Sequence, residues 1–259
     1  MTGDGRQLKP ASVVGLPSSV SYAYTLPMPS KLIFPGVYAL GLGPVNAFLI
    51  EDGTALTLID TGYGKDDLKI LAAVQALGRS PGDIKNIVVT HCHPDHAGSL
   101  AALKKQTGGA AWMSHTDAEV VRGKVAINRS TPSRGLMQQI MYRLFIAGSS
   151  GIVDQAEIEH EIADGDVLPF GGGLRAIAAP GHSAGHMAFM LERDGGLLFA
   201  DDACSNMGGL SLSIVYDDHA QGRKTLAALA KLKFAAVCFG HGPALSGANA
   251  RKFNQKWEA

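Results

Sequence analysis

Residues 90–98 read Thr-His-Cys-His-Pro-Asp-His-Ala-Gly, which places His91, His93, Asp95 and His96 within six consecutive positions. Imidazole is polar and an aspartate rarely enters a core unpaired, so packing does not explain such a cluster. Nitrogen and carboxylate donors at this spacing suit a metal site. On an extended segment His91, His93 and Asp95 share one side, with Cys92 facing the other. His96 joins them through the turn that Pro94 and a following helix start supply. A single tetrahedral ion takes about four ligands, and a catalytic one keeps a position open. The spacing suits two adjacent ions better than one. Further donors for a second ion occur later: His182 in Ala-Pro-Gly-His-Ser-Ala-Gly-His, Asp202 in Phe-Ala-Asp-Asp-Ala, and His241 in Phe-Gly-His-Gly-Pro.

Hydrophobic periodicity supplies the elements that must position these groups. Val37 to Leu40, Asn46 to Ile50 and Leu56 to Ile59 alternate as strands separated by Gly-containing turns. Asp66 to Leu77 carries apolar residues at helical spacing and stops at Gly78. The β-branched run from Ile84 to Val89 delivers the chain into the histidine cluster, so the ligands sit at a strand's carboxyl end. Ala97 to Gln106 returns to helix and Ala111 to Met113 to strand. In the second half, Leu174 to Ala179, Met187 to Leu191, Leu197 to Ala200 and Ala235 to Phe239 read as strands. Thr225 to Leu232 and Ala248 to Trp257 read as helices. His182, Asp202 and His241 each follow one of these strands, which predicts an α+β fold of two mixed sheets packed face to face with helices outside.

Two segments stand apart from this alternation. Residues 1–33, with Pro10, Pro17, Pro27 and Pro29, read as an irregular arm preceding one domain over 34–259. Residues 121–165 read as a helical insert: Met137, Ile140, Met141, Leu144 and Phe145 form one apolar face at i, i+3, i+4, i+7 and i+8. That face either packs on the core or forms a lid over the metal site, where Met and Phe adapt to varied apolar groups. With Met207 and Tyr216, the residues Met137, Met141 and Phe145 are the substrate-pocket candidates.

Composition narrows the function. The chain has 259 residues, 46% of them hydrophobic, and balances 23 basic against 23 acidic residues. A net charge of zero provides no field to attract nucleic acid or an anionic membrane. No apolar run reaches the roughly 18 residues of a membrane span, and the start lacks the apolar core of a secretory signal. A cytoplasmic protein follows as the expectation. Cys92, Cys204 and Cys238 are too few for a disulfide framework and read as small buried residues. His115, His160 and His219 read as surface or helix-end residues.

Asp60 in Leu-Ile-Asp-Thr-Gly, the His-x-His-x-Asp-His run, the Pro-Gly-His segment, the aspartate after a strand and the late Gly-His-Gly occur in this order. The sequence resembles the metallo-β-lactamase fold superfamily, over about residues 35 to 247. The resemblance implies a four-layer αβ/βα sandwich with two divalent ions at its rim. Zinc is favoured by the histidine-rich donors, and manganese or iron also accepts them. His91, His93 and His182 would hold one ion and Asp95, His96 and His241 the other, with Asp202 bridging. His186 and Asp60 would support the ligands. Many relatives carry Gly-Asp where this chain has Asp201-Asp202. The register favours Asp202 as the bridge and leaves Asp201 as a structural hydrogen-bond acceptor on the opposite sheet face.

The chemistry expected of such a pair is hydrolysis. A water held between two ions is acidified toward neutral pKa and attacks a carbonyl that the ions polarise, with no Ser or Cys nucleophile. The resemblance allows Asp95 to align that water and carry its proton to the leaving group. Asp202 resembles the bridge of lactonases and glyoxalase II-type thioesterases, where third-subclass metallo-β-lactamases place Ser. Glyoxalase II adds a C-terminal helical domain, for which few residues remain after Gly247. A small-molecule carboxylic ester or lactone is therefore the expected substrate, with β-lactam or thioester as alternatives. A diiron redox protein on the same scaffold is an alternative of another class. The oligomeric state stays open, a dimer included.

Overall fold

The computed structural model describes residues 30–127, 130–148 and 151–258. Its first sheet holds β1 (Ser30–Phe34), β2 (Val37–Gly41), β3 (Asn46–Asp52), β4 (Ala55–Ile59), β5 (Ile84–Val88), β6 (Ala110–Ser114) and β8 (His160–Ile162), in that spatial order. The first four are antiparallel neighbours, and β4, β5, β6 and β8 run parallel. The second sheet has the order β15 (Leu245–Ser246), β14 (Ala236–Cys238), β12 (Leu197–Phe199), β11 (Met187–Leu191), β10 (Leu174–Ala178) and β9 (Val167–Leu168). A short pair, β7 (Thr131–Pro132) with β13 (Val215–Tyr216), lies apart from both.

Side-chain alternation divides each strand between two cores. Phe48 and Ile50 of β3, Phe189 and Leu191 of β11, and Phe199 of β12 pack between the sheets. Phe48 and Phe199 meet edge to face, with centroids 5.3 Å apart. The opposite faces, Ala47 and Leu49 in one sheet and Ala188, Met190 and Leu198 in the other, belong to outer cores. The first outer core is closed by α1 (Asp67–Ala76), α3 (Leu100–Thr107) and α4 (His115–Val121). The second is closed by α6 (His219–Leu229) and α7 (Arg251–Trp257). The four-layer sandwich expected from the sequence is thus the architecture, and the three cysteines are buried, one in each core.

Strand direction decides where the site lies. β4 and β5 are parallel; β10, β12 and β14 also share one direction. Their carboxyl ends release Asp60, His91, His182, Asp202 and His241.

Several boundaries differ from the sequence expectation. Residues 30–33 belong to β1 rather than to an arm, and the rest of that arm lies outside the described residues. The helix expected over 97–106 is split into α2 (Pro94–Ala97) and α3, and between them Gly98 packs against the Gly64 and Pro94 backbones where no Cβ fits. α6 starts at His219, capped by the Asp218 side chain, which accepts from Ala220 N and Gln221 N at 2.9 Å. In the insert, α5 (Leu136–Met141) runs into a π-helical turn over Tyr142–Ile146. Of the expected apolar face, Ile140 and Leu144 are exposed and Met141 is half-buried.

Truncating the inter-sheet contact tests this assignment of the core. Phe199→Ala should lower unfolding free energy by about 3–5 kcal/mol, as for other large-to-small core changes. Equilibrium urea denaturation reads the difference, and a loss under about 1 kcal/mol would mean that Phe199 does not join the sheets.

Candidate metal centre

The chain leaves β5 and turns at Pro94 into α2, carrying His91, His93, Asp95 and His96 to the sheet edge. His91 Nε2 lies 3.1 Å from His93 Nδ1, which lies 2.9 Å from His182 Nε2. Three nitrogens bound to one zinc at 2.0–2.1 Å with tetrahedral angles stand about 3.3 Å apart. Asp95, His96 and His241 form a second group within ligand reach of one another. Asp95 Oδ2 is 3.3 Å from His241 Nε2 and 3.7 Å from His96 Nε2. Asp202 stands between the groups: its Oδ2 lies 3.3 Å from both His182 Nε2 and His241 Nε2, and its Oδ1 3.8 Å from His96 Nε2. Buried His96 Nε2 and Asp202 Oδ1 have no hydrogen-bonding partner among the described residues. Two such orphaned donor atoms aimed at one space fit a cation.

The outward nitrogens are anchored, which turns the others inward. His182 Nδ1 donates to Val215 O at 2.9 Å and His241 Nδ1 to Pro44 O at 2.8 Å. His96 Nδ1 donates to Asp60 Oδ2 at 3.0 Å. Asp60 in turn accepts from Thr90 N at 2.8 Å, and its Oδ2 lies 3.0 Å from Thr90 Oγ1. His186 donates from Nδ1 to Ala179 O and brings Nε2 to 3.7 Å from Asp201 Oδ2.

Asp201 departs from its expected place. The chain does not continue as a strand after Phe199 but enters a 3-10 turn over Asp201–Ala203, with Asp201 at φ +44°. Its carboxylate therefore swings behind the ligands instead of to the far sheet face. There it accepts from Thr90 Oγ1 at 2.8 Å and lies 3.5 Å from His91 Nδ1 and 3.4 Å from His96 Nδ1. Gly240 faces this crowd, and a Cβ there would collide with Asp202 Oδ1 and the His96 ring.

Burial and charge act differently on the two groups. Burial holds His91 well below its ordinary pKa, pushes His182 down to about 3 and lowers His93, which keeps these imidazoles neutral and ready to bind. For His96 burial acts the same way, yet Asp201, Asp95, Asp202 and Asp60 outweigh it and raise the imidazole well above its usual value. Asp202 and Asp95 likewise outweigh burial at His241. Asp60 is pushed up to about 7 by burial and then by Asp201.

The substrate-pocket candidates fare unevenly. Tyr216 is buried: its hydroxyl donates to Ala203 O at 2.6 Å, and its ring packs 5.9 Å from the His182 ring, behind that imidazole. Met141 is half-buried and Met207 exposed. The side chains of Met137 and Phe145 lie outside the described residues. His115 is exposed and paired with Glu161, and His160 stacks on Trp112, which agrees with surface roles.

Two residues carry no signal in the sequence. Buried Asp117, in the first turn of α4, accepts from Cys92 N at 3.0 Å, Ser183 Oγ at 2.8 Å and Gly185 N at 3.0 Å. It ties the His91–His93 segment to the His182 turn, contacts more than sixty residues apart in sequence that no local pattern announces. Tyr63 follows the Asp60-Thr61-Gly62 turn, which is held by Thr61 N on His96 O at 2.7 Å and by Ser99 Oγ on Tyr63 O. Its phenol is half-exposed, and burial, then Asp95, push its pKa up to about 12. It remains a hydrogen-bond donor beside the second group.

Comparisons with known proteins point to one family. The family described as Metallo-beta-lactamase superfamily matches residues 40–241. The chain is 30% identical over 181 residues to the protein YobT of Bacillus subtilis (strain 168), covering 70% of this chain and 68% of YobT. It is 29% identical over 188 residues to the N-acyl homoserine lactonase AiiB of Agrobacterium fabrum, covering 62% of this chain and 63% of AiiB. The matches thus span about two thirds of these relatives' own lengths. Among solved structures, a Cronobacter sakazakii metallo-beta-lactamase is similar at a TM-score of 0.65 and 25% identity, covering 82% of this chain and 77% of that one.

Two outcomes test the centre. Asp117→Asn should weaken binding of the first ion by about 10- to 100-fold, the usual effect of losing a group that orients ligands. Competition with a chromophoric chelator measures it, and unchanged affinity would remove Asp117 from the site. Because the surrounding carboxylates raise His96 and His241 well above their ordinary values and a cation competes with protons for these nitrogens, zinc addition at pH 7 should release protons, and affinity should fall as pH is lowered. A pH-indicator titration without release would contradict the assignment of these two ligands.

Proposed function

The chain belongs to the metallo-beta-lactamase superfamily of metal-dependent hydrolases, and from that premise we propose that it is a dinuclear hydrolase of a small-molecule carboxylic ester or lactone. The observation that carries this reading is the Asp202 carboxylate, 3.3 Å from one imidazole of each group. A carboxylate in that place suits two ions sharing a ligand. It also resembles the lactonase and thioesterase arrangement rather than the Ser of third-subclass β-lactamases.

Bound ions would supply the positive charge that polarises a carbonyl and acidifies water. Zinc suits the His-rich donors, while manganese and iron are accepted by the same mixed set. His91, His93 and His182 hold one position, and Asp95, His96 and His241 the other. The Asp95 carboxylate is one-fifth exposed, beside His241, where it orients the attacking water and passes its proton to the leaving group. Asp60, Thr90 and Asp201 keep the ligand imidazoles in place and do not meet the substrate. The likeness to a named lactonase supports the ester or lactone class.

A hydrolysis screen of zinc- and manganese-loaded protein across lactones, thioesters, β-lactams and phosphodiesters tests the reading, with His96→Ala as the blank. Turnover should be greatest on lactones or carboxylic esters and fall to background in the blank. A blank as active as the parent, or turnover confined to β-lactams, would overturn the proposal.

A further inference from the structure

Beside the first histidine group lies a cavity of about 330 Å³ that Met141, Met207 and Tyr216 do not line. It is a half-open cleft bordered by the first turns of α4, the segment 125–127 and the Ser183–Ala184 turn, with His93 on its wall. His93 is the imidazole whose Nδ1 lies between His91 Nε2 and His182 Nε2. Of the seven candidate metal residues His93 is the one in its lining, so a group occupying the cavity sits beside that imidazole.

The charged groups on its walls have partners within the protein. Asp117 accepts from Cys92 N, Ser183 Oγ and Gly185 N. Glu119 is paired with Arg122 and Lys124. His115 meets Glu161, and Asp217 accepts from Ser130 Oγ. The lining includes no Lys or Arg among the described residues. A ligand carboxylate would face Asp117, Glu119 and Asp217 without a cation of the lining to meet it, at a cost in desolvation. The rest of the lining is mainly apolar, with Val120, Val125, Ala126, Ile127 and Ala184 beside the Thr116 hydroxyl. Its volume is at the small end of ligand pockets, which run from roughly 300 to 1,000 Å³.

We propose that this cavity beside His93 selects the acyl part of the substrate, taking a short, uncharged alkyl chain or single ring and disfavouring substrates with a carboxylate there. The inference rests on the ester or lactone hydrolase reading and deepens it. Recognition chiefly by shape and apolar contact makes chain length the property discriminated. An added methylene that fits contributes about threefold to fourfold in selectivity, the equivalent of roughly 0.8 kcal/mol.

The test compares kcat/KM for p-nitrophenyl hexanoate and p-nitrophenyl acetate in the metal-loaded full chain. It adds binding of hexanamide, which is not turned over, to metal-free protein, followed by NMR line broadening. Ala126→Phe narrows the cavity and should lower the hexanoate-to-acetate ratio at least fivefold and abolish hexanamide binding. Ile127→Ala widens it and should raise the ratio. Opposite shifts cannot come from a general loss of folding. Ratios within twofold of the parent in both variants, or shifts in one direction, would overturn the cavity's role. If the parent hydrolyses no ester or lactone, the hydrolase reading fails and hexanamide decides the cavity alone. Saturable binding lost in Ala126→Phe supports it, and absence of binding overturns it.

Discussion

The structure is organised around the cost of keeping opposed charges out of water at one sheet edge. His96 is fully buried, with Asp60 and Asp201 on its Nδ1 side and Asp95 and Asp202 on its Nε2 side. Two like charges about 4 Å apart repel by roughly 4 kcal/mol at an effective dielectric of 20. Several such carboxylates persist together only where positive charge answers them. Protonated His96 and His241 can do so without metal, and divalent cations do so more completely.

That cluster explains features which would otherwise destabilise the fold. Asp60 and Asp201 adopt φ of +60° and +44°, values that L residues seldom take and that cost of order 1–3 kcal/mol each. Both turns reverse the chain just past a strand, so that the carboxylates reach the histidines instead of extending along the sheet. Gly240 leaves the space that Asp202 and His96 fill. Asp117 joins segments on opposite sheets through a single buried carboxylate. The sandwich, with its apolar inter-sheet layer, provides a frame rigid enough to carry this strain.

Much of the site is legible in the sequence because its parts follow local rules. The His91–His96 run announces itself by donor density, and His182, Asp202 and His241 by following β-rich segments. Alternating apolar residues also point to two sheets. What escapes depends on contacts remote in sequence or on backbone turns. Period-2 alternation puts Asp201 on the wrong face because it assumes that the strand continues. Tyr216 reads as a pocket residue because its chain position suggests nothing of the hydroxyl's bond to Ala203 O. The early start of α6 is hidden by Gly222, a weak helix former required where the Tyr216 ring leaves no room for a Cβ. The periodicity of Met137 to Phe145 points to a helix, but periodicity alone does not say whether an apolar face meets a core, and Ile140 and Leu144 stand exposed.

Two separate histidine groups that share one carboxylate should hold two ions, and elemental analysis of zinc-loaded protein after removal of free metal tests this most directly. His182→Ala and His241→Ala are measured beside the parent. Two equivalents per chain are predicted in the parent and about one in each variant, because each substitution breaks a different group. A parent holding one equivalent or less, or variants that retain two, would contradict the shared-carboxylate centre.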